Sequence, residues 1–177
     1  DNSTLFYTNR DVNTLRNDKI FKHKLGTDYE NDELIYFEND ETFYTNVSKS
    51  KSKKYIIISS YSTLTSEFQF LPADSINKDF KLFNKRKRGV EYSINHYDDH
   101  FFIITNKDNA YNYKLMKTEI NKTSSENWTD VTPPNAPKYL MWNSVEPDPF
   151  IKGGLYVAGT LYKTGDFKPY LYKTKDY

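Results

Sequence analysis

The sequence predicts an all-β chain built from small antiparallel sheets, and three observations predict it. The first is alternation. Val90, Tyr92 and Ile94 interleave with Glu91, Ser93 and Asn95, the period of two that sends successive side chains to opposite faces of a sheet. The second is composition. Tyr (16) and Phe (12) dominate the apolar residues, and aromatic side chains favour a pleated surface. The third is punctuation: turn residues such as Asp98-Asp99 and the run 106–109 recur about every ten positions.

Taken in order, residues 1–40 supply three strands, at 4–8, 19–24 and 33–37, separated by polar loops. Residues 41–88 supply four, at 42–47, 55–60, 66–71 and 80–83. Residues 89–132 supply strands at 90–95, 101–105, 113–117 and 128–131, and residues 133–177 supply 139–145, 154–161 and 168–173. A unit of roughly 45 residues with four strands is the period of a β-propeller blade. The expectation is about four blades, bounded at 1–40, 41–88, 89–132 and 133–177, the first and last incomplete.

Within a unit the most apolar strand comes second: Ile56-Ile57-Ile58, the run 101–104, or the run 155–158. Such a strand is expected to be covered on both faces. Counted from this marker, the first unit begins at its second strand and the last stops after its third. Open edges accept further strands, so the chain is expected to form a homo-oligomer or to join a partner propeller fragment through its edge strands.

Composition narrows the function. A net charge of +1 gives no polyanion-binding field, so nucleic acid is not an expected partner. With no cysteine there is no disulfide, thiolate metal site or thiol nucleophile. No apolar run is long enough to span a bilayer, and no membrane partner is expected. The chain has no initiating Met and no signal-like segment near its start, which reads as a portion of something larger.

Several collinear motifs carry a resemblance. They are Leu5-Phe6-Tyr7 with Leu15-Arg16, Lys22-His23-Lys24-Leu25-Gly26-Thr27, Ser50-Lys51-Ser52-Lys53-Lys54-Tyr55-Ile56, Thr65-Ser66-Glu67, Leu71-Pro72-Ala73-Asp74, and Gly89 through Met116. Residues 1 to about 131 resemble the propeller domain of oligopeptidase B, in the prolyl oligopeptidase family of serine peptidases. The resemblance implies a seven-bladed propeller capping an α/β-hydrolase domain, which carries a Ser-Asp-His triad and cuts after basic residues while the propeller restricts access. No triad member transfers to this chain, which has no G-x-S-x-G elbow.

A second resemblance begins near Pro133. Val145-Glu146-Pro147-Asp148-Pro149-Phe150, Gly153-Gly154-Leu155-Tyr156 and Tyr170-Leu171-Tyr172-Lys173 are similar to a sialidase-like, sortilin-type repeat blade. Thr174-Lys175-Asp176-Tyr177 matches the first half of an Asp box. Two lineages meeting at Trp128-Thr129-Asp130-Val131 predict a chimera of propeller fragments, most simply a constructed one. The alternative is one diverged natural propeller.

No residue is assigned a catalytic, cofactor-binding or metal-binding role. His96 and His100 flank the Asp98-Asp99 turn and with Asp98 have the residue types of a metal site, but such turns are commonly His- and Asp-rich without metal. His23 shares a strand face with Phe21 and reads as a satisfied, partly buried imidazole. The basic runs at 85–88 and at Lys49, Lys51, Lys53 and Lys54 read as solvated loops. Glu146, Asp148 and Asp166 lie in the last unit, which by itself cannot form a glycosidase carboxylate pair. Asn39-Asp40 reads as turn chemistry. Asn2-Ser3-Thr4, Asn46-Val47-Ser48, Asn121-Lys122-Thr123 and Asn127-Trp128-Thr129 fit the glycosylation pattern, which is weak in an Asn-rich chain.

Three functions follow as expectations: a structural propeller module without activity, a gating propeller of a serine peptidase whose catalytic domain lies outside this chain, or a sialidase-like carbohydrate binder.

Overall fold

The computed structural model describes residues 3–176. Asn2 of the first glycosylation pattern and Tyr177 of the half Asp box lie outside the described residues. The chain divides into two compact units, Asp1–Gly89 and Val90–Tyr177. Each holds two antiparallel sheets, so the fold is all-β and of the β-propeller class.

In the first unit, β1 (Thr4–Arg10), β2 (Asn17–Lys24) and β3 (Glu33–Phe37) form one sheet in sequence order. β4 (Tyr44–Lys49), β5 (Tyr55–Tyr61), β6 (Ser66–Pro72) and β7 (Lys81–Asn84) form the next. The β1–β2 connection is closed by Asp11, whose carboxylate accepts from the Asn13 and Thr14 amides at 3.0 and 2.8 Å. Leu15, at φ 57°, turns the chain back. That turn delivers Arg16 inward, where its Nη1 donates to the carbonyls of Glu38, Asp40 and Phe43 at 3.0, 3.1 and 2.9 Å. One guanidinium thus ties three carbonyls of the β3–β4 loop together, that of Asp40 also accepting from the Phe43 amide at 3.0 Å.

In the second unit, β8 (Tyr92–Tyr97), β9 (His100–Thr105), β10 (Lys114–Glu119) and β11 (Thr129–Asp130) form a four-stranded sheet. β12 (Met141–Pro147), β13 (Leu155–Leu161) and β14 (Asp166–Thr174) form a three-stranded one. Phe102, Ile104 and Leu115 from the former pack with Leu140, just before β12, and with Trp142, Val145, Leu155 and Val157 from the latter. Among the described residues, three single 3-10 turns, Tyr29–Asn31, Ser125–Asn127 and Tyr162–Thr164, are the helical content.

The second strands β5 and β9 bury five residues in succession, 56–60 and 101–105, as a strand covered on both faces must. β13 departs from that expectation. Leu155, Val157 and Gly159 are buried, while Tyr156, Ala158 and Thr160 are half-buried. Its apolar run therefore has one packed face and one partly open face. In the first sheet the middle strand β2 carries fully buried Ile20, whereas β1 is an edge on which Leu5 is half exposed.

Candidate functional site

The densest polar cluster lies at one end of the first unit, where the β3–β4 loop, the β5–β6 turn and the segment after β7 meet. β3 ends by placing Glu38 inward, with its side chain 5 % exposed. Arg86 reaches it from 48 positions away: Nη2 donates to Glu38 Oε2 at 2.7 Å and to Glu67 Oε1 at 2.8 Å. The Arg86 amide also donates to Glu67 Oε2 at 2.9 Å. The guanidinium stacks on Phe43, 4.0 Å from the ring centroid. Tyr36 completes the cluster, its hydroxyl donating to Glu38 Oε2 at 2.7 Å.

The electrostatics follow from this geometry. Burial opposes ionisation of Glu38, but hydrogen bonds from Arg86, Tyr36 and the Asp40 amide outweigh it and hold its pKa below the ordinary glutamate value. Burial, reinforced by Glu38, pushes Tyr36 up to about 12. Burial also disfavours the Arg86 cation, yet Glu67 and Glu38 more than compensate and raise its pKa further. Glu38 and Arg86 are therefore charged and Tyr36 neutral across the neutral range, the forms in which they hydrogen-bond one another. Beside them opens a cleft of about 580 Å³ lined by Phe43, Leu64, Thr65, Arg86 and Arg88.

Arg86 was expected with Lys85, Lys87 and Arg88 in a solvated loop. Those three are exposed, but Arg86 is drawn into the cluster. Lys49, Lys51, Lys53 and Lys54 are exposed as expected. Asp40 is a turn former, its carboxylate accepting from the Thr42 amide at 3.0 Å and the Thr42 hydroxyl at 2.7 Å.

His23 belongs to a second cluster in the same unit. Its Nδ1 lies 2.6 Å from Asp32 Oδ1, and the Tyr7 hydroxyl donates to Asp32 Oδ2 at 2.7 Å. Burial works against the Asp32 carboxylate, but these two bonds hold its pKa below the aspartate norm. The imidazole is thereby satisfied, and the carboxylate ties β1, β2 and the start of β3 together.

In the second unit the register separates the paired histidines. His96 faces Phe101 and His100 faces Tyr97 across the hairpin. These are adjacent pairs, so the two rings point to opposite sides of the sheet. Among the described residues no group of three His, Cys, Asp or Glu side chains gathers as a metal site.

The acids of the last sheet do not converge either. Asp148 is 3 % exposed, accepts from the Phe150 and Ile151 amides at 2.9 and 3.2 Å, and pairs with Lys173 at 3.1 Å. The Phe150 amide, with help from Lys173, lowers its pKa. Asp166 caps its own strand, accepting from the Lys168 amide at 3.0 Å and from the Tyr170 hydroxyl at 2.7 Å. Asn46, Asn121 and Asn127 are exposed.

The prolyl oligopeptidase N-terminal β-propeller model matches residues 1–148. Dipeptidyl aminopeptidase BI of Pseudoxanthomonas mexicana is 35% identical over 153 residues, covering 86% of this chain and 20% of the relative. Protease 2 of Moraxella lacunata is 36% identical over 155 residues, covering 88% and 21%. The structure of oligopeptidase B from Leishmania major superposes with a TM-score of 0.77 at 25% identity, covering 90% of this chain and 22% of that one. Prolyl oligopeptidase B from Galerina marginata, at 18% identity and a TM-score of 0.71, shares the fold over 98% of this chain and 24% of its own. The chain spans about a fifth of the length of the curated relatives it matches.

The match passes through 128–131 without a break and continues to 148. That corrects the expected changeover near Pro133, and nothing in these likenesses supports a sialidase-like last blade or a chimera. Short alternating strands with aromatic residues and glycine turns are demanded by blade geometry in any propeller lineage, so local motifs there do not discriminate between families.

Proposed function

The chain belongs to the prolyl oligopeptidase N-terminal β-propeller family, and from that membership we propose that it is a non-catalytic propeller segment of a serine peptidase. Its role in this reading is to wall off and gate a hydrolase active site carried elsewhere. The observation that carries it is the family match over 1–148 by a chain spanning a fifth of its relatives' length. The clusters support it, since Glu38, Arg86, Asp32 and Asp148 are all committed to holding loops.

The test is complementation. A relative of the Protease 2 type, lacking the segment that matches this chain, is assayed on arginyl peptide substrates with and without the chain added. The chain by itself is expected to be inactive, and its addition to restore size-restricted hydrolysis. Hydrolysis by the chain alone overturns the non-catalytic reading; no change on addition overturns the gating role.

Association through edge strands belongs to the same proposal. β1 and β14 each pair on one side only, which favours contact with further strands. Sedimentation showing a monomer at all concentrations would remove self-association.

A further inference from the structure

The cleft of about 580 Å³ in the first unit is walled by the β3–β4 loop, the β5–β6 turn and the segment after β7. Of the basic run at 85–88, Arg86 and Arg88 line it. The two arginines differ in what they hold. Arg86 is engaged by Glu38 and Glu67. The Arg88 side chain is exposed and makes no hydrogen bond or ion pair with another described residue.

The backbone that carries Arg88 is fixed on both sides. The Arg86 amide donates to Glu67 Oε2 at 2.9 Å, and the Gly89 amide donates to the Thr65 hydroxyl at 3.3 Å. Gly89, at φ +81°, turns the chain directly after it. A cation presented from a fixed backbone has less freedom to lose when it binds. The β5–β6 turn adds the Thr63 hydroxyl and Leu64, which is 56 % exposed. Charge decides which anion fits. Asp40 also lines the cleft, its carboxylate held by Thr42, and Glu38 and Glu67 stand against Arg86. These three acids oppose a dianion such as phosphate. A single carboxylate on Arg88 meets one unmatched cation whose planar fork suits its two oxygens.

We infer that this cleft is a binding site for a peptide carboxylate. Arg88 takes the carboxylate through paired N–H donors, the Thr63 hydroxyl offers a further donor, and an apolar side chain beside the carboxylate packs on Leu64. Two sources carry that group: the new C-terminus that peptide-bond hydrolysis creates, and an acidic side chain within a peptide. The site is independent of the gating role and is read on the chain alone, so its failure and a failed complementation are separate results.

Three peptides are titrated into the full chain while its backbone amide shifts are followed by NMR: acetyl-Gly-Thr-Leu with a free C-terminus, the same peptide amidated, and acetyl-Gly-Glu-Leu-amide. Saturable shifts at 62–65 and 86–89 are expected with at least one carboxylate peptide, and roughly tenfold weaker binding with the peptide that has none. The carboxylate peptide that binds identifies the source. Arg88→Gln is expected to weaken binding by roughly tenfold, and Leu64→Ser by a smaller factor. Arg88 has no described partner to lose, so its variant keeps the fold and remains informative if Leu64→Ser does not. Absence of saturable shifts with both carboxylate peptides, equal affinity for the amidated acetyl-Gly-Thr-Leu, binding unchanged by Arg88→Gln, or displacement by inorganic phosphate at lower concentration than by acetate overturns the proposal.

Discussion

Arg86 holds Glu38 across 48 residues at 2.7 Å, and the same Nη2 holds Glu67 at 2.8 Å. Two acidic side chains, one just past the end of β3 and one on β6, thereby depend on one cation. Removing it with Arg86→Met leaves both carboxylates buried without it, and the expected loss is about 3–5 kcal/mol by urea denaturation. Arg86→Lys should recover only part of this, because an ammonium lacks both the second nitrogen that donates to Glu38 Oε1 at 3.4 Å and the planar group that stacks on Phe43.

Acid should act on the same cluster. Glu38 has a folded pKa below its ordinary value of 4.5. Such a group stabilises the fold above the unfolded pKa and loses that contribution as pH falls through the folded value. Asp32, held below 3.8, behaves in the same sense and slightly lower in pH. Stability followed by denaturant midpoint should therefore be flat from neutral to about pH 5 and decline below it. In Glu38→Gln the part of the decline nearest pH 4.5 should be reduced.

Two glycines separate steric from backbone strain. At Gly154 a Cβ would lie 2.7 Å from the Asp148 Cβ and 3.0 Å from the Ile151 carbonyl oxygen. Gly89 has φ +81° with nothing within 4 Å of a built Cβ. Gly89→Ala is expected to cost about 1–2 kcal/mol from the left-handed backbone. Gly154→Ala should cost about 1–3 kcal/mol through overpacking and should also disturb the Asp148 loop. Proton chemical shifts of the Phe150 and Ile151 amides report the difference.

Phe102 is 1 % exposed in the core shared by the two sheets of the second unit. Phe102→Ala should cost about 3–5 kcal/mol in thermal or urea unfolding. An unchanged midpoint would contradict the packing of these sheets.

Strand positions were readable along the chain because alternation and turn residues are local. The 55–60 strand is observed as Tyr55–Tyr61 and the 33–37 strand as Glu33–Phe37. The 90–95 strand moves to Tyr92–Tyr97, because Glu91 turns its amide to the Asn106 side chain at 2.8 Å. Arg86 could not be singled out from Lys85, Lys87 and Arg88, since what distinguishes it is the position of Glu38 and Glu67 in space.

The order of residues by itself determined an all-β chain of blade-like sheets, its turns, the identity of its apolar second strands and its lack of a nucleophile elbow. Tertiary structure decided which charges are buried and paired, that His96 and His100 face opposite ways, and that β13 has one covered face. The reason is physical: strand and turn preferences depend on neighbours in sequence, whereas burial, ion pairing and face coverage depend on groups that only folding brings within a few ångströms.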